Sequence, residues 1–235
     1  MILGFVSDAH GNEVGLDRCL AVLRQLRADR IYFLGDSVGY MPNEEAVLTH
    51  LEDSGAICIR GNHEEMLLGN LPIEAARNVQ YRLSEARARI SQARIAWMEQ
   101  WPMRREVAVD GARLLLVHGN PLDPITGYVY PDTDLTVFRD LPYDFVLFGQ
   151  THRPFIRTIE SMTFVNVGSC GMPRDVGNLA SCAVLDTRTR SIEILRVKFD
   201  AQELISELGS QVHDAVVACL KRTSPTPAFG RLVDV

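Results

Sequence analysis

Five short apolar runs in this chain each end in a polar cluster beside glycine, and that regularity restricts the fold more than any other feature. The clusters are Asp8-Ala9-His10-Gly11, Gly35-Asp36, Gly61-Asn62-His63, His118-Gly119 and Gly149-Gln150-Thr151-His152. The runs before them, Ile2 to Val6, Ile31 to Leu34, Ala56 to Ile59, Arg113 to Val117 and Phe145 to Phe148, read as strands. Four of the six histidines lie in these clusters, and only His50 and His213 lie elsewhere. Histidines scattered through a core would not collect at strand ends next to glycine. In α/β proteins the crevice outside the carboxyl ends of the strands is where ligands bind, and glycine there lets the backbone turn sharply and leaves room for a ligand. Two aspartates, an asparagine and three or four imidazoles converging on one crevice match a two-metal hydrolytic centre, with ions ~3.5–4 Å apart. Carboxylate oxygen combined with imidazole nitrogen suits divalent transition metals. A plainer reading makes Asp8 a turn residue and Asn12 the cap of the helix behind it. The fivefold recurrence argues against that reading for the set.

Between the clusters the pattern alternates. Glu13 to about Arg27 carries Val14, Leu20, Leu23 and Leu26 at amphipathic helical spacing, and a second helix is expected from about Asn43 to Asp53. Such strand–helix repetition predicts a mostly parallel sheet covered on both faces. Residues 73–100 are expected to be helical in two pieces, with Ser91 capping the second. Ala86, Ile90, Ala93 and Trp97 form an apolar stripe expected to face the core. The second half changes character. Glu106 to Val109 and Arg113 to Val117 flank Asp110-Gly111, a strong hairpin signal. Thr163 to Val167, Ala180 to Leu185 and Ser191 to Val197 read as further strands. A last helix is expected from Ala201 to about Leu220, and the tail from Thr223, with Pro225 and Pro227, is expected to be loosely held. The reading is thus an α/β chain with a single domain over 1–222 and a tail over 223–235.

A chain of 235 residues can bury one core without staples. Its net charge of −6 argues against partners held by nucleic-acid backbone contacts. Five scattered cysteines (Cys19, Cys58, Cys170, Cys182, Cys219) without a Cys-x-x-Cys pair favour buried thiols in a reducing compartment. The chain enters a strand at once, without a signal-like segment, and has no apolar run near the ~20 residues of a membrane helix. The expectation is a cytoplasmic protein with no membrane partner; nothing in the sequence speaks to its oligomeric state.

The same clusters carry a resemblance. The chain is similar to the calcineurin-like metallophosphoesterases, whose five signature blocks occur in order between Asp8 and His152. It resembles the small prokaryotic branch near the diadenosine-tetraphosphate hydrolases and the PPP-type protein phosphatases. Arg60-Gly61-Asn62-His63-Glu64 agrees with the PPP block residue for residue. Gly35-Asp36-Ser37-Val38-Gly39-Tyr40-x-Pro42, His118-Gly119-x-Pro121 and Gly168-Ser169-x-Gly171-x-Pro173-Arg174 resemble the prokaryotic branch instead. The resemblance implies a four-layer α/β/β/α sandwich and a metal-dependent phosphoesterase acting on mono- or diesters of small or nucleotide-like substrates.

It also implies roles. Asp8, His10 and His152 would hold one divalent ion (Mn, Fe or Zn), Asp36 would bridge to a second, and Asn62 and His118 would complete most of that second site. A shared water, acidified by the ions, would attack phosphorus in line as a metal-bridging hydroxide. His63 would protonate the leaving oxygen or steady the phosphate oxygens, or else only hydrogen-bond a ligand. Arg60 would grip phosphate with its guanidinium fork. Arg174 is a second candidate, an ordinary surface arginine being nearly as good a reading.

Two departures matter. Gln150 stands where the family has a histidine ligand of the second metal, and a neutral amide is the weaker ligand, so the second site is expected to be weaker. PPP phosphatases also have an aspartate three residues beyond the bridging one, orienting the active histidine, and then a phosphate-binding arginine. Here those places are Gly39 and Tyr40. Protein phosphatase activity is therefore not expected; Glu64 or another acidic side chain could orient His63, and Tyr40 either contacts substrate or packs. The segment from Gly119 to Pro131 is expected to face the substrate. The alternative is a degenerate member that binds metal and a phosphorylated ligand as a sensor or scaffold.

Overall fold

Asn12 turns the chain out of its first strand: its side-chain oxygen accepts the Gly15 N–H at 2.9 Å, so β1 (Ile2–Val6) passes directly into α1 (Glu13–Gln25). The structure, a computed structural model, describes residues 1–234. The βα pattern repeats through β2 (Arg30–Phe33), α2 (Glu44–Asp53) and β3 (Ile57–Cys58), and β1, β2 and β3 pair in parallel. Four short helices follow: α3 (Asn62–Leu67), α4 (Ala75–Tyr81), α5 (Leu83–Arg89) and α6 (Gln92–Glu99).

The region expected as two helices is thus three, preceded by an unexpected α3. Arg82 adopts the left-handed conformation (φ 56°), and Asn78 Oδ1 accepts the N–H groups of Leu83 and Ser84, restarting the helix. Ser91 caps α6 as expected. The extended residue Ile90 resets the helical phase, however, and this corrects the predicted stripe. Ala86 and Ile90 are buried, but beyond the break Ile95 and Met98 fill the core, while Ala93 is exposed and Trp97 half-buried.

The hairpin forms as expected from β4 (Arg104–Val109) and β5 (Ala112–Val117), with positive φ at Asp110 and Gly111 as a type I′ turn requires. After β6 (Phe145–Phe148) comes β7 (Phe155–Ile159), a strand the sequence reading missed, antiparallel to β8 (Met162–Asn166). β9 (Leu179–Asp186) and β10 (Ser191–Lys198) return to the first sheet as an antiparallel pair, so that sheet is mixed but mostly parallel, with β9 alone running against the other strands. The single helix expected over 201–220 is two, α7 (Ala201–Leu208) and α8 (Asp214–Leu220), because Gly209 at φ 51° ends the first and His213 Nδ1 caps the second. The tail is also corrected in part: β11 (Arg231–Val233) pairs in parallel with β10, and Arg231 bridges Glu193 at 2.7 Å.

Two sheets result, ordered β11-β10-β9-β1-β2-β3 and β4-β5-β6-β8-β7. Leu3, Phe5, Leu34, Leu114, Leu116, Leu147 and Val165 form the core between them. The helices pack on the outer face of the first sheet, with Leu20, Leu23, Leu48, Ile95 and Leu204 in that layer. The layer over the second sheet is the segment 119–141, whose regular piece is a 3-10 turn at Thr136–Phe138, packed through Val129, Leu135 and Phe138. Registers Val6↔Phe33, Phe33↔Cys58 and Leu116↔Leu147 align the carboxyl ends within each sheet. Face-to-face packing then brings all five polar clusters to one edge.

Candidate metal centre

The residues at that edge adopt conformations that cost energy. Asp8, His10, Asp36, Tyr40, Gln150 and His152 all have positive φ, between 48° and 66°. Each such backbone costs of order 1–3 kcal/mol and persists only where surrounding contacts over-determine it. Here they do: His10 N donates to Asp36 O, Gly11 N to Ser37 O, Gln150 N to Asp8 Oδ1 and Gly171 N to Asp8 O. The Gly168-Ser169-x-Gly171 segment is part of this bracing, with Ser169 Oγ donating to the Asp8 carbonyl at 2.7 Å. The glycines leave room for ligating carboxylates: a Cβ at Gly61 would lie 2.2 Å from Asp36 Oδ1, and one at Gly149 would lie 2.3 Å from Asp8 Oδ2.

The imidazoles are held in one sense. Nδ1 of His10, His118 and His152 lies 3.2, 2.8 and 2.7 Å from the carbonyls of Val38, Leu34 and Met172. Carbonyls only accept, so each Nδ1 carries a proton and each Nε2 faces inward, where a neutral ring presents its lone pair. Nε2 of His10 and Nε2 of His152 face each other at 3.1 Å. His152 Nε2 is 3.3 Å from Asp8 Oδ1, His118 Nε2 is 3.3 Å from Asp36 Oδ2, and Asn62 Oδ1 is 3.1 Å from His118 Nε2. Asp8 Oδ2 is buried without a hydrogen-bond partner. With the rings neutral, acceptors point at acceptors throughout, an arrangement that calls for cations or, in their place at His118, a proton. Three overlapping groups, Asp8/His10/His152, His10/Asp36/His63 and Asp8/Asp36/His118, each bring their ligand atoms within 4.8 Å of one another.

Electrostatics agree. Burial, strongest on each group, pushes the Asp8 carboxyl up to about 7 and drives His10 and His152 well below the usual imidazole range. Burial also opposes charge on Asp36 and His118, but there the pair's mutual attraction wins. His118 rises to about 10, and Asp36 is held below the ordinary carboxylate range with help from His63 and His10.

Asp8, His10, Asp36, Asn62, His118 and His152 thus meet in one cluster. Gln150 is buried beside it, but its Nε2 donates to the Ile125 carbonyl at 3.3 Å, so one end of the amide anchors the 119–131 segment. His63 is buried with Nε2 4.0 Å from Asp36 Oδ2, and burial lowers its pKa. Glu64 does not orient it, which corrects that expectation. Its carboxylate instead accepts Asp36 N, Ser37 N, Ser37 Oγ and Gly61 N at 2.6–2.8 Å, clamping two clusters together. His63 is held by rings: Tyr40 stacks on it (centroids 5.1 Å, 21°) and Tyr81 tilts against it at 4.6 Å. Gly39 is required there, because a Cβ would meet His63 Nδ1 at 2.6 Å, leaving no space for an orienting aspartate. Tyr40 therefore packs. Arg60 is paired with Glu65 at 2.8 Å, whereas the charge of Arg174 is felt at Asp8, His10, His63 and His152. The clamp by Glu64 and the ring of Tyr81 were missed; Gly61-x-x-Glu64, a capping-box spacing, was the available signal for the first.

Two packed sheets with acidic and imidazole groups at their common edge define a metallophosphoesterase. The chain belongs to the calcineurin-like phosphoesterase superfamily, whose domain description matches residues 1–190. It is 26% identical over 225 residues to the uncharacterised protein MJ0912 of Methanocaldococcus jannaschii, covering 88% of this chain and 91% of that one. Its fold is similar to a metallophosphoesterase from Sphaerobacter thermophilus (TM-score 0.78, 23% identity, 94% and 98% of the two chains). The hypothetical protein PH1004 from Pyrococcus horikoshii OT3 superposes with a TM-score of 0.81 at 17% identity, again over 94% and 98%. Among the described residues no helix is long and apolar enough to cross a membrane.

Proposed function

We propose that the chain hydrolyses phosphate mono- or diesters of small or nucleotide-like molecules, using two divalent ions of the Mn, Fe or Zn kind. The observation that carries this reading is the facing pair of Nε2 lone pairs on His10 and His152 beside the unpartnered Asp8 Oδ2. Asp8, His10 and His152 would hold one ion, and His118 and Asn62 the other. Asp36 Oδ2, 3.6 Å from His10 Nε2 and 3.3 Å from His118 Nε2, reaches both halves. Bound ions of this class supply Lewis acidity and a water acidified to near neutrality. His63, kept neutral by burial, steadies phosphate oxygens as a hydrogen-bond donor, and Arg174 supplies positive charge to the incoming phosphate. The five buried free cysteines support a reducing, cytoplasmic setting. The net charge of −6 supports a small phosphorylated substrate over nucleic acid.

The second reading, a metal- and phosphate-binding sensor, is favoured by the engaged Gln150 amide and the Arg60–Glu65 pair. Turnover of p-nitrophenyl phosphate and bis(p-nitrophenyl) phosphate with added Mn2+ separates the two. Wild type is expected to turn over at least one ester, and Asp36→Asn to abolish it. No turnover with Mn2+, Fe2+ or Zn2+ would leave the sensor reading in place.

A further inference from the structure

A cavity of about 320 Å³ opens beside the metal cluster, with Asn62 and Gln150 at its inner end. Five of its lining side chains are apolar or aromatic, Met66, Leu71, Pro72, Tyr81 and Tyr128, and the polar Glu74, Arg77 and Thr126 complete the wall. None of these five side chains is needed to hold an ion. Ligand pockets run from roughly 300 to 1,000 Å³, so this one is at the small end and suits a single ring system rather than two.

The wall bearing Tyr128 is built in advance of any ligand. His118 N and Gly119 N both donate to the Pro124 carbonyl at 3.1 and 2.8 Å, so the loop hangs from a residue of the metal cluster. Asp123 accepts the N–H groups of Ile125 and Thr126 and the Thr126 hydroxyl, and Asn120 Oδ1 accepts those of Leu122 and Asp123. Gln150 Nε2 on the Ile125 carbonyl closes the loop from inside. Tyr128 is half exposed, and Tyr130 lies parallel behind it with centroids 5.9 Å apart and planes within 7°. A ring on a braced loop, stacked against a second ring and lining a cavity, is a stacking platform. Preorganisation of this kind lowers the ordering cost of binding.

Resting on the reading of the cluster as a phosphoester site, we propose that the cavity lined by Tyr81 and Tyr128 receives one planar aromatic group of the substrate, a nucleobase or an aryl ring, while the phosphate lies on the metal side of Asn62 and Gln150. The substrate class is then a phosphoester with a single aromatic substituent, and a dinucleoside polyphosphate gains no second base contact.

Adenosine 5′-monophosphate, phenyl phosphate and ribose 5-phosphate test this. The first and last both release the primary 5′-alcohol of a ribose and differ at C1′, where one carries the base and the other a hydroxyl. Kinetics in Mn2+ and calorimetric binding to wild type, Tyr128→Phe and Tyr128→Ala are compared. Base–aromatic stacking strength predicts that AMP exceeds ribose 5-phosphate in kcat/KM and affinity by about tenfold or more in wild type. Tyr128→Ala is expected to shrink that ratio by about tenfold and Tyr128→Phe by less than about twofold, since the ring and not the hydroxyl does the stacking. Phenyl phosphate matching AMP would assign the cavity to an aryl ring, and AMP well ahead would assign it to a base. A wild-type ratio near one, or a ratio that survives Tyr128→Ala, overturns the proposal. Absence of turnover for all three would refute monoester hydrolysis and leave the cavity to be judged by the binding ratios, which need no catalysis; loss of bis(p-nitrophenyl) phosphate turnover as well would refute the hydrolase reading.

Discussion

Removing Glu64 should damage the fold and the metal cluster together, by an amount the hydrogen bonds allow to be worked out. The side chain is fully buried, and its two oxygens accept four donors: Oε2 takes the N–H groups of Asp36 and Gly61, and Oε1 takes Ser37 N–H and the Ser37 hydroxyl. In Glu64→Gln the least costly orientation keeps the amide oxygen on the Asp36 and Gly61 N–H groups and lets the new NH2 donate to the rotated Ser37 hydroxyl. The Ser37 N–H is then a buried orphan, at about 1–3 kcal/mol, and the surviving bonds lose their charge assistance. Burial and the nearby Asp36 raise the carboxyl's pKa, so removing the charge returns part of that. The expected net cost is ~2 kcal/mol. Glu64→Ala leaves every donor without its acceptor and a cavity besides, for ~4 kcal/mol, within the range of severe single mutations. For a chain of this size that corresponds to a Tm drop of roughly 8–16 °C. Urea unfolding in EDTA, with the m-value held constant, measures the stability term. Mn2+ titration measures the loosening of Asp36, whose own N–H is one of the four donors. A cost below about 1 kcal/mol for Glu64→Ala, with Mn2+ affinity unchanged, would show that water or a rearranged loop satisfies these donors and that the clamp is not what sets Asp36.

Two further outcomes are expected. Gln150→His should strengthen binding of a second Mn2+ relative to wild type, read as metal-to-protein ratio and dissociation constants, because imidazole is the better ligand and the wild-type amide is tied to Ile125; two equally tight ions in both proteins would refute it. In metal-free protein, His118 protonates with its folded pKa at about 10, above the ordinary 6.5, because Asp36 and Asp8 outweigh the opposing burial. The stability this contributes is fully present below about pH 6.5 and fades as pH rises towards 10. Tm of the chelated protein should therefore fall from pH 7 to 9.5 more steeply in wild type than in His118→Gln, and parallel profiles would sink the assignment.

Much of the fold was legible because the signals were local. Ile2–Val6 and Phe145–Phe148 are short apolar runs with both faces buried, Asp110-Gly111 permits a turn that few other pairs do, and Ser91 and Asn12 are caps whose partners lie three residues on. Misreadings came where one backbone angle decided the outcome. Arg82 in the left-handed region and Ile90 in an extended one broke a helix whose side chains all tolerate helix, and turned Ala93 to solvent. Gly209 did the same to the last helix, and β11 was hidden because a three-residue strand needs its neighbour β10 to exist.

For the site, residue type and position at strand ends were enough to gather Asp8, His10, Asp36, Asn62, His118 and His152, since parallel strands in register must present their carboxyl ends together. What no linear pattern contains is which atom faces which. That each Nε2 points inward depends on the distant carbonyls of Val38, Leu34 and Met172. That Glu64 holds Asp36 rather than His63, and that Tyr40 and Tyr81 hold His63 in a carboxylate's place, depends on contacts between separate loops. Composition and periodicity specify elements through interactions a few residues long; hydrogen-bond direction and ring stacking are settled only when segments far apart in the chain are packed to within 3–5 Å.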